Sequence, residues 1–424
     1  MARFADVTPA PVEPAARISS LDVLRGFAVL GILVMNIQAF SMIGSAYINP
    51  TSYGDLTGAN YWVWVLSHAL ADQKFISLFS MLFGAGIVLM ARKTQQGGAR
   101  PASLHYRRMG WLILFGLLHS YLLWSGDILY TYGMCGLLVY LFRKRSPSTL
   151  LVSGFVFLAI GSAISLGIGQ WIRSAPEEAL IELREGWQPD SATIALELAV
   201  FRGGWLTQMP SRSAEAFLFQ AFLFPTAFLW KASALMLVGM GLFKLGVLSG
   251  GRSTRFYLGL VVIALVLGVP TIAYGVHKNF EAGWDMRSSF FFGIGSQYNY
   301  WASVLVALGW VGVVILACRS ASLQRAARAL GAVGRMAFTN YILQTVICTT
   351  IFYGHGLGLF GYVDRVGQIL IVFSVWAVQL VLSPIWLRRF RFGPLEWLWR
   401  SLTYWHVQPM RVDLAGGVAG AGVP

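Results

Sequence analysis

The 424-residue chain has few charged residues: Asp, Glu, Lys and Arg make up only 12% of it, whereas about a quarter of an ordinary soluble domain is charged. Apolar residues make up 56%, and the mean hydropathy is +0.63. This composition excludes a soluble enzyme and a disordered chain. It predicts an all-α, polytopic integral membrane protein, whose 16 Trp, 16 Tyr and 28 Phe suit a class with aromatic rings at the membrane interfaces.

Cysteine is also scarce, since Cys135, Cys318 and Cys348 are the only three, and they lie in apolar stretches without CxxC spacing. This excludes a disulfide-stapled secreted module, and we interpret the three as small core residues. The sequence contains no GxxxxGK[ST] loop, no HExxH or paired CxxC, and no GxSxG elbow. We therefore expect no Walker-type ATPase, no metal site and no covalently bound cofactor.

The net charge of +14 would indicate nucleic-acid binding in a soluble protein, but here the placement of Lys and Arg explains it. Ten apolar stretches are candidate spans: 21–43, 60–91, 107–125, 127–143, 149–172, 214–249, 254–275, 296–318, 333–353 and 366–387. With the amino terminus inside, 22 Lys and Arg lie on the cytoplasmic side and seven on the other. Because these residues resist translocation, we predict about ten transmembrane helices with both termini cytoplasmic.

Two stretches are too long for one straight span. The run Asp72-Gln73-Lys74 divides 60–91 into a predicted interfacial helix and a following span, whereas 214–249 contains Pro225 and Lys231 and must cross an odd number of times. The 173–213 loop is acidic and is either a solvated surface helix or a lid. The predicted division is 1–19 as a tail, 20–172 as an amino-terminal five-helix bundle, 173–213 as an extracytoplasmic loop, 214–402 as a carboxy-terminal transmembrane domain, and 403–424 as a flexible tail.

The first span carries a polar seam, a line of polar residues along one helix face. Ionisable groups inside a membrane need a partner or a role. Asp22 and Arg25 share one helix face, either as a local ion pair or as an anchor for a phosphate or carboxylate. Asn36 lies eleven residues after Arg25, about three turns and about 16 Å along the same face. It either makes an interhelical hydrogen bond or extends the seam outwards.

Two further groups fall at a similar predicted depth. His68 and Asp72 are four residues apart and can touch, and Lys74 follows at the outer edge of a span, where it either snorkels or takes part in a site. His119 lies about 18 Å into the span that starts near residue 107. Asp127, in the next turn, either caps a helix or orients His119, whose imidazole suits a general base or, alternatively, a packing role.

Seven motifs carry a family resemblance: LDVLRG, GILVMNI, AYINP, KFISLFSMLFGAG, GLLHSYLLWSGDIL, GRMAFTNYILQT and GPLEWLWR. Together they resemble the YeiB family of bacterial inner-membrane proteins over nearly the whole chain, from about residue 18 to 402. The resemblance implies a multi-pass protein of the bacterial inner membrane whose carboxy-terminal part is a domain of unknown function.

The DxxRG start of the first span, followed by Asn36, is similar to the transmembrane acyltransferase superfamily. That group includes heparan-glucosaminide acetyltransferase and bacterial sugar O-acetyltransferases, which move an acyl group from cytoplasmic acyl-CoA to an acceptor on the far side, using a histidine base. Arg25 matches that pattern, but Asn36 stands where many members have a histidine. The resemblance therefore implies that another histidine is the base, with His119 first and His68 second.

We therefore predict an acyltransferase that contacts membrane lipids and binds acyl-CoA and an extracytoplasmic acceptor. We expect it to bind no nucleic acid. The candidate catalytic residues are His119, Asp127, Asn36, Asp72 and Lys74. The candidate substrate-binding residues are Asp22, Arg25, Trp124, His68, Asn340 and Gln344. The alternatives are a transporter of a small anionic or amphipathic solute, whose pathway the same polar residues would line, and a non-catalytic scaffold.

Overall fold

The computed structural model describes residues 19–96, 101–287 and 291–412. Within these ranges all regular structure is helical, apart from one isolated bridge between Phe390 and Arg411. The predicted all-α class is thereby confirmed. Most of the predicted amino-terminal tail, and residues 413–424 of the predicted carboxy-terminal tail, lie outside the described residues.

The described residues form 18 α-helices. They are α1 (Ser19–Ser41), α2 (Gly44–Ile48), α3 (Gly58–Leu70), α4 (Lys74–Gln96), α5 (Pro101–Leu122), α6 (Leu129–Val139), α7 (Pro147–Ser174), α8 (Ile181–Trp187), α9 (Ser191–Arg202), α10 (Met209–Leu218), α11 (Leu229–Lys244), α12 (Thr254–Ile263), α13 (Val269–Glu281), α14 (Ser296–Arg319), α15 (Gln324–Arg335), α16 (Ala337–Phe352), α17 (Arg365–Arg389) and α18 (Pro394–Tyr404). The first helix, α1, packs against α4, α14, α15, α16 and α17, so it lies inside the bundle.

Seven helical stretches are long and apolar enough to cross a membrane: Ser20–Ser41, Gly58–Arg92, Pro147–Ser174, Met209–Lys244, Thr254–Glu281, Gly293–Arg319 and Arg365–Arg389. Leu129–Phe142 and Ala337–Phe352 are apolar but shorter, and a helix of 16 residues is only about 24 Å long. The remaining predicted span corresponds to α5, which carries Arg107 and Arg108 in its first half. The membrane bundle is confirmed, whereas ten crossings and the side of the termini stay predictions.

Both overlong stretches have the interruptions that their polar and proline residues predict. Helix α3 ends at Leu70 and α4 begins at Lys74, with Gln73 between them in the left-handed region at a φ of 63°. The run from Met209 to Lys244 stays helical throughout but widens into a π-helix over Phe219–Phe228, around Pro225. Proline lacks the N–H for a normal helical bond, so such a local change is expected there. Pro225 therefore distorts this stretch without dividing it into two separate helices.

Close helix packing in the core depends on glycine at the contact between α4 and α11. A Cβ built on Gly84 would lie 2.0 Å from the carbonyl oxygen of Met236, and one on Gly239 would lie 2.0 Å from that of Met81. The two backbones thus touch at this level, as the small-residue spacing of α4 indicates. Gly86 faces open space, with nothing within 4 Å of its Cβ position.

This difference gives a matched test within one helix. Gly84→Ala is expected to lower the free energy of unfolding by about 1–3 kcal/mol, because the added methyl must push α11 away. Gly86→Ala should be neutral or stabilising by up to about 1 kcal/mol, since alanine is the better helix former. Thermal unfolding of the purified protein in detergent compares them, and equal stability of the two variants would show that α4 and α11 are not in backbone contact.

Candidate functional site

A buried histidine and aspartate meet where α5 gives way to α6. Nδ1 of His119 lies 2.8 Å from Oδ1 of Asp127, and both side chains are 2% exposed. The second carboxylate oxygen, Oδ2, accepts the backbone N–H of Tyr130 at 2.7 Å, so Asp127 also caps the start of α6. Gly116 allows this approach, because a Cβ there would lie 2.2 Å from the Tyr130 nitrogen. The predicted pairing of Asp127 with His119 is therefore present, together with the capping alternative.

The other ring nitrogen of His119 reaches a residue that the sequence analysis missed. Nε2 lies 3.0 Å from Oγ1 of Thr345, which comes from α16 and is 1% exposed. When Asp127 is ionised its carboxylate only accepts, so in that state the proton lies on Nδ1 and Nε2 accepts the threonine hydroxyl. A carboxylate, an imidazole and a hydroxyl thus form one chain, the order in which a base activates an O–H group. The only sequence signal near Thr345 was the polar pair Asn340 and Gln344 on the same helix.

Aromatic rings surround His119. The Tyr341 ring centroid lies 5.3 Å from the imidazole centroid, and the Tyr341 hydroxyl accepts the backbone N–H of Ile128 at 3.3 Å. The ring centroid of Trp124, the predicted substrate contact, lies 6.3 Å from that of the imidazole and 4.1 Å from that of Phe40 of α1, to which the Trp124 ring is tilted by 31°. These rings exclude water from the His119–Asp127 pair, which strengthens the hydrogen bond between them.

The predicted residues around the α3–α4 turn form a separate cluster. Nζ of Lys74, which is fully buried, donates to the carbonyl of His68 at 2.7 Å and to Oδ1 of Asn299 at 2.5 Å. The Asn299 amide donates to Asp72 at 2.7 Å, and Nδ1 of His68 lies 3.3 Å from the same carboxylate. Lys74 is therefore held inside the protein, and the snorkelling alternative is wrong.

A second lysine that the sequence analysis did not select joins this cluster from α11. Nζ of Lys231 donates to the carbonyl of Tyr300 at 3.1 Å, to the hydroxyl of Ser303 at 3.0 Å and to the side chain of Gln73. Asp72 is close enough to attract both ammonium groups. The cluster thus contains two lysines for one carboxylate, a net positive charge if both lysines are protonated.

The His119 and Lys74 clusters do not form the single chamber that their similar predicted depth suggested. Across residues 19–96, 101–287 and 291–412 no hydrogen bond or ion pair links Asp72 or Lys74 to His119. Asp72, a candidate catalytic residue, does not orient His119, because Asp72 is bonded to Asn299 of α14, whereas Nε2 of His119 lies next to Thr345 of α16. His68 is stacked 5.1 Å from Trp64 in the Lys74 cluster, away from Asp127.

The predicted seam on α1 is interrupted. Asp22 and Arg25 form an ion pair of 2.7 Å, as their spacing indicates. Asn36 is half-buried, and its side chain makes no hydrogen bond within the described part of the chain. The interhelical-bond interpretation of Asn36 is therefore wrong, and its role towards a substrate stays a prediction.

Asn340 and Gln344 lie on one face of α16, as four-residue spacing predicts, and link it to neighbouring helices. The Asn340 amide donates to the carbonyl of Val333 and to Ser383, both at 3.1 Å. The Gln344 amide donates to the carbonyl of Val29 at 3.2 Å and to Gln379 at 3.0 Å. Because these bonds use all the amide N–H groups, they stabilise the packing of α16, and a substrate would have to replace them.

The chain matches known proteins over most of its length. A family profile described as "Protein of unknown function (DUF418)" matches residues 242–406. The "Uncharacterized protein YeiB" of Escherichia coli is 34% identical over 390 residues, covering 91% of this chain and 95% of that protein. The "Uncharacterized protein YxaH" of Bacillus subtilis is 33% identical over 424 residues, covering 94% and 97%. The chain therefore belongs to the YeiB family of membrane proteins.

Proposed function

We propose that the protein is an integral-membrane acyltransferase in which His119, oriented by Asp127, acts as the general base. The observation that supports this most directly is the buried chain Asp127–His119–Thr345, with contacts of 2.8 and 3.0 Å. A base needs an acceptor nitrogen within hydrogen-bond reach of a hydroxyl and a group that fixes its tautomer. Both conditions hold at Nε2.

In the proposed reaction an acceptor hydroxyl or amine takes the place of the Thr345 hydroxyl at Nε2. His119 removes its proton as the acceptor attacks the carbonyl carbon of the acyl thioester. Asp127 stabilises the imidazolium that forms. The tetrahedral intermediate then breaks its C–S bond, and the imidazolium gives the proton to the CoA thiolate as it leaves. Asn36, whose amide makes no hydrogen bond within the described residues, is the proposed donor to the developing oxyanion. Lys74 is no longer part of this proposal, because its ammonium group is bonded in the other cluster.

Arginines at the predicted inner end of the bundle are the proposed anchor for the CoA phosphates. The guanidinium of Arg108 lies 4.3 Å from the Trp399 ring centroid and close enough to Arg25 and Arg400 for mutual repulsion. That of Arg107 lies 5.6 Å from the Trp405 ring. Like charges gathered in this way favour a polyanion, to which arginine forms bidentate, charge-assisted bonds.

The experiment measures CoA release from labelled acetyl-CoA, with water as the acyl acceptor, by the purified full-length protein in detergent. His119→Ala is expected to slow release by about 10²–10⁴-fold, the usual contribution of a positioned base. The matched control is His277→Ala, because that imidazole is 66% exposed and its only ion-pair partner in the described part of the chain is Glu281, at 3.0 Å. Equal rates for His119→Ala and His277→Ala, at equal thermal stability, would overturn the proposal.

A further inference from the structure

One threonine of the core differs from other helix threonines in its hydrogen bonding. A hydroxyl inside a helix commonly donates to the carbonyl oxygen four residues earlier in the same helix. Five threonines of this protein have that bond, at oxygen–oxygen distances of 2.6 to 3.0 Å: Thr94, Thr226, Thr271, Thr350 and Thr403. Thr345, within α16, makes no such bond, because its hydroxyl is directed at another helix.

The imidazole of His119 is the partner of the Thr345 hydroxyl. Oγ1 lies 3.0 Å from Nε2, and within 19–96, 101–287 and 291–412 this is the only hydrogen bond of that hydroxyl. Thr345 is 1% exposed and His119 3%, so burial keeps water from competing for either atom. When Asp127 is ionised, the hydroxyl proton therefore points at a nitrogen that can accept it.

The sequence of groups from Asp127 through His119 to Thr345 is the one that makes a hydroxyl nucleophilic. Its two contacts of 2.8 and 3.0 Å fall inside the range of about 2.6–3.2 Å that proton transfer to a base requires. In the proposed transfer an external acceptor must displace the Thr345 hydroxyl from Nε2. Until an acceptor does so, Thr345 supplies the O–H group that is next to the base.

We propose that Thr345 is a covalent acylation site, which takes the acyl group of acyl-CoA when no external acceptor is bound. Oγ1 forms a bond to the acyl carbonyl carbon, the C–S bond breaks, and the hydroxyl proton passes through Nε2 of His119 to the CoA thiolate. The products are an ester on Thr345 and free CoA. This inference rests on the proposed function, because it uses the same base and the same acyl donor.

The same groups remove the acyl group again. Water or an external acceptor attacks the ester carbonyl, and Nε2 of His119 takes its proton. The bond between Oγ1 and the carbonyl carbon then breaks, and the imidazolium returns a proton to Oγ1 of Thr345. A two-step route of this kind releases CoA before the acyl group leaves the protein, which distinguishes it from direct attack on the thioester.

The experiment incubates the purified full-length protein in detergent with labelled acetyl-CoA and no acceptor besides water. We expect a burst of about one CoA per protein before steady release, and peptide mapping should place the acetyl group on Thr345. His119→Ala should slow acetylation by about 10²–10⁴-fold.

Variants of α16 separate this role from a structural one. Thr345→Val keeps the shape of the side chain but removes the hydroxyl, so it should show neither burst nor label, whereas Thr345→Ser should restore both. The matched control is Thr349→Val, one turn later, because Thr349 is also buried and donates to the carbonyl of Val346 at 3.3 Å. A merely structural Thr345 would change thermal stability and leave the burst intact.

Peptide mapping of the wild type decides the inference even if Thr345→Val does not fold. Acetyl on Thr345 supports it, whereas acetyl on another residue, or on none, overturns it, as does a burst that persists in folded Thr345→Val. If CoA release depends on His119 while Thr345 stays unlabelled, the inference fails and the proposed function stands. Equal CoA release by His119→Ala and His277→Ala would instead remove the base and overturn both proposals.

Discussion

Asp127→Asn is expected to reduce CoA release from acetyl-CoA by about 10³–10⁴-fold while leaving the fold intact. The asparagine oxygen can still accept the N–H of Tyr130, so the cap of α6 is kept. Its NH₂ group then faces Nδ1 of His119 and donates to it, which moves the imidazole proton to Nε2. A protonated Nε2 donates to its partner and cannot act as a base, the effect known from the inverted tautomer in serine proteases.

The measurement pairs the rate of CoA release with thermal unfolding. Asp190→Asn is the control, because Asp190 caps α9 by accepting the N–H of Thr193 at 2.7 Å and faces solvent. Asparagine caps nearly as well as aspartate, so this variant should keep full activity. If Asp127→Asn releases CoA as fast as Asp190→Asn, His119 does not act through its Asp127-bound tautomer.

Asp72→Asn is expected to lower the free energy of unfolding by about 3–5 kcal/mol. Asp72 is the carboxylate that attracts both Lys74 and Lys231, and Lys74 is fully buried. Removing one partner of a buried ionic group leaves uncompensated charge in an apolar interior. The resulting loss of stability is larger than the net stabilisation by the intact pair. The loss is measured by thermal or denaturant unfolding in detergent, against Asp190→Asn as an exposed control.

A second substitution tests the cause of that loss. In Asp72→Asn/Lys74→Met one of the two uncompensated ammonium groups is gone, so the double variant should be more stable than Asp72→Asn alone. Such coupling is the mark of direct interaction in a double-mutant cycle. An Asp72→Asn protein as stable as Asp190→Asn, or a double variant less stable than the single one, would show that the lysines are not stabilised by Asp72.

Local sequence spacing predicted several contacts correctly because both partners lie on one helix or on the two sides of one turn. Asp22 with Arg25, and His68 with Asp72, are three and four residues apart; the first two form an ion pair of 2.7 Å, and Nδ1 of His68 lies 3.3 Å from the Asp72 carboxylate. The pair of His119 and Asp127 spans eight residues and one tight turn. In each case the backbone geometry alone brings the side chains within reach.

Contacts between distant helices could not be predicted in the same way. Asn36 lies on the face of Arg25, yet helix periodicity does not say which neighbour covers that face, and the structure leaves its amide unbonded. Equal depth in the membrane likewise placed Lys74 beside His119, although the rotation of α4 turns Lys74 towards α14. Depth follows from helix length, whereas rotation about the helix axis follows from packing.

Composition and the lengths of the apolar runs were enough to determine a helical membrane protein and the approximate positions of its helices, because each helix satisfies its own backbone bonds within lipid. Only the tertiary structure brought Thr345 to His119 across 226 residues and Asn299 to Lys74 across 225. These partners are chosen by how helices pack and rotate against one another, and that choice depends on every contacting surface together.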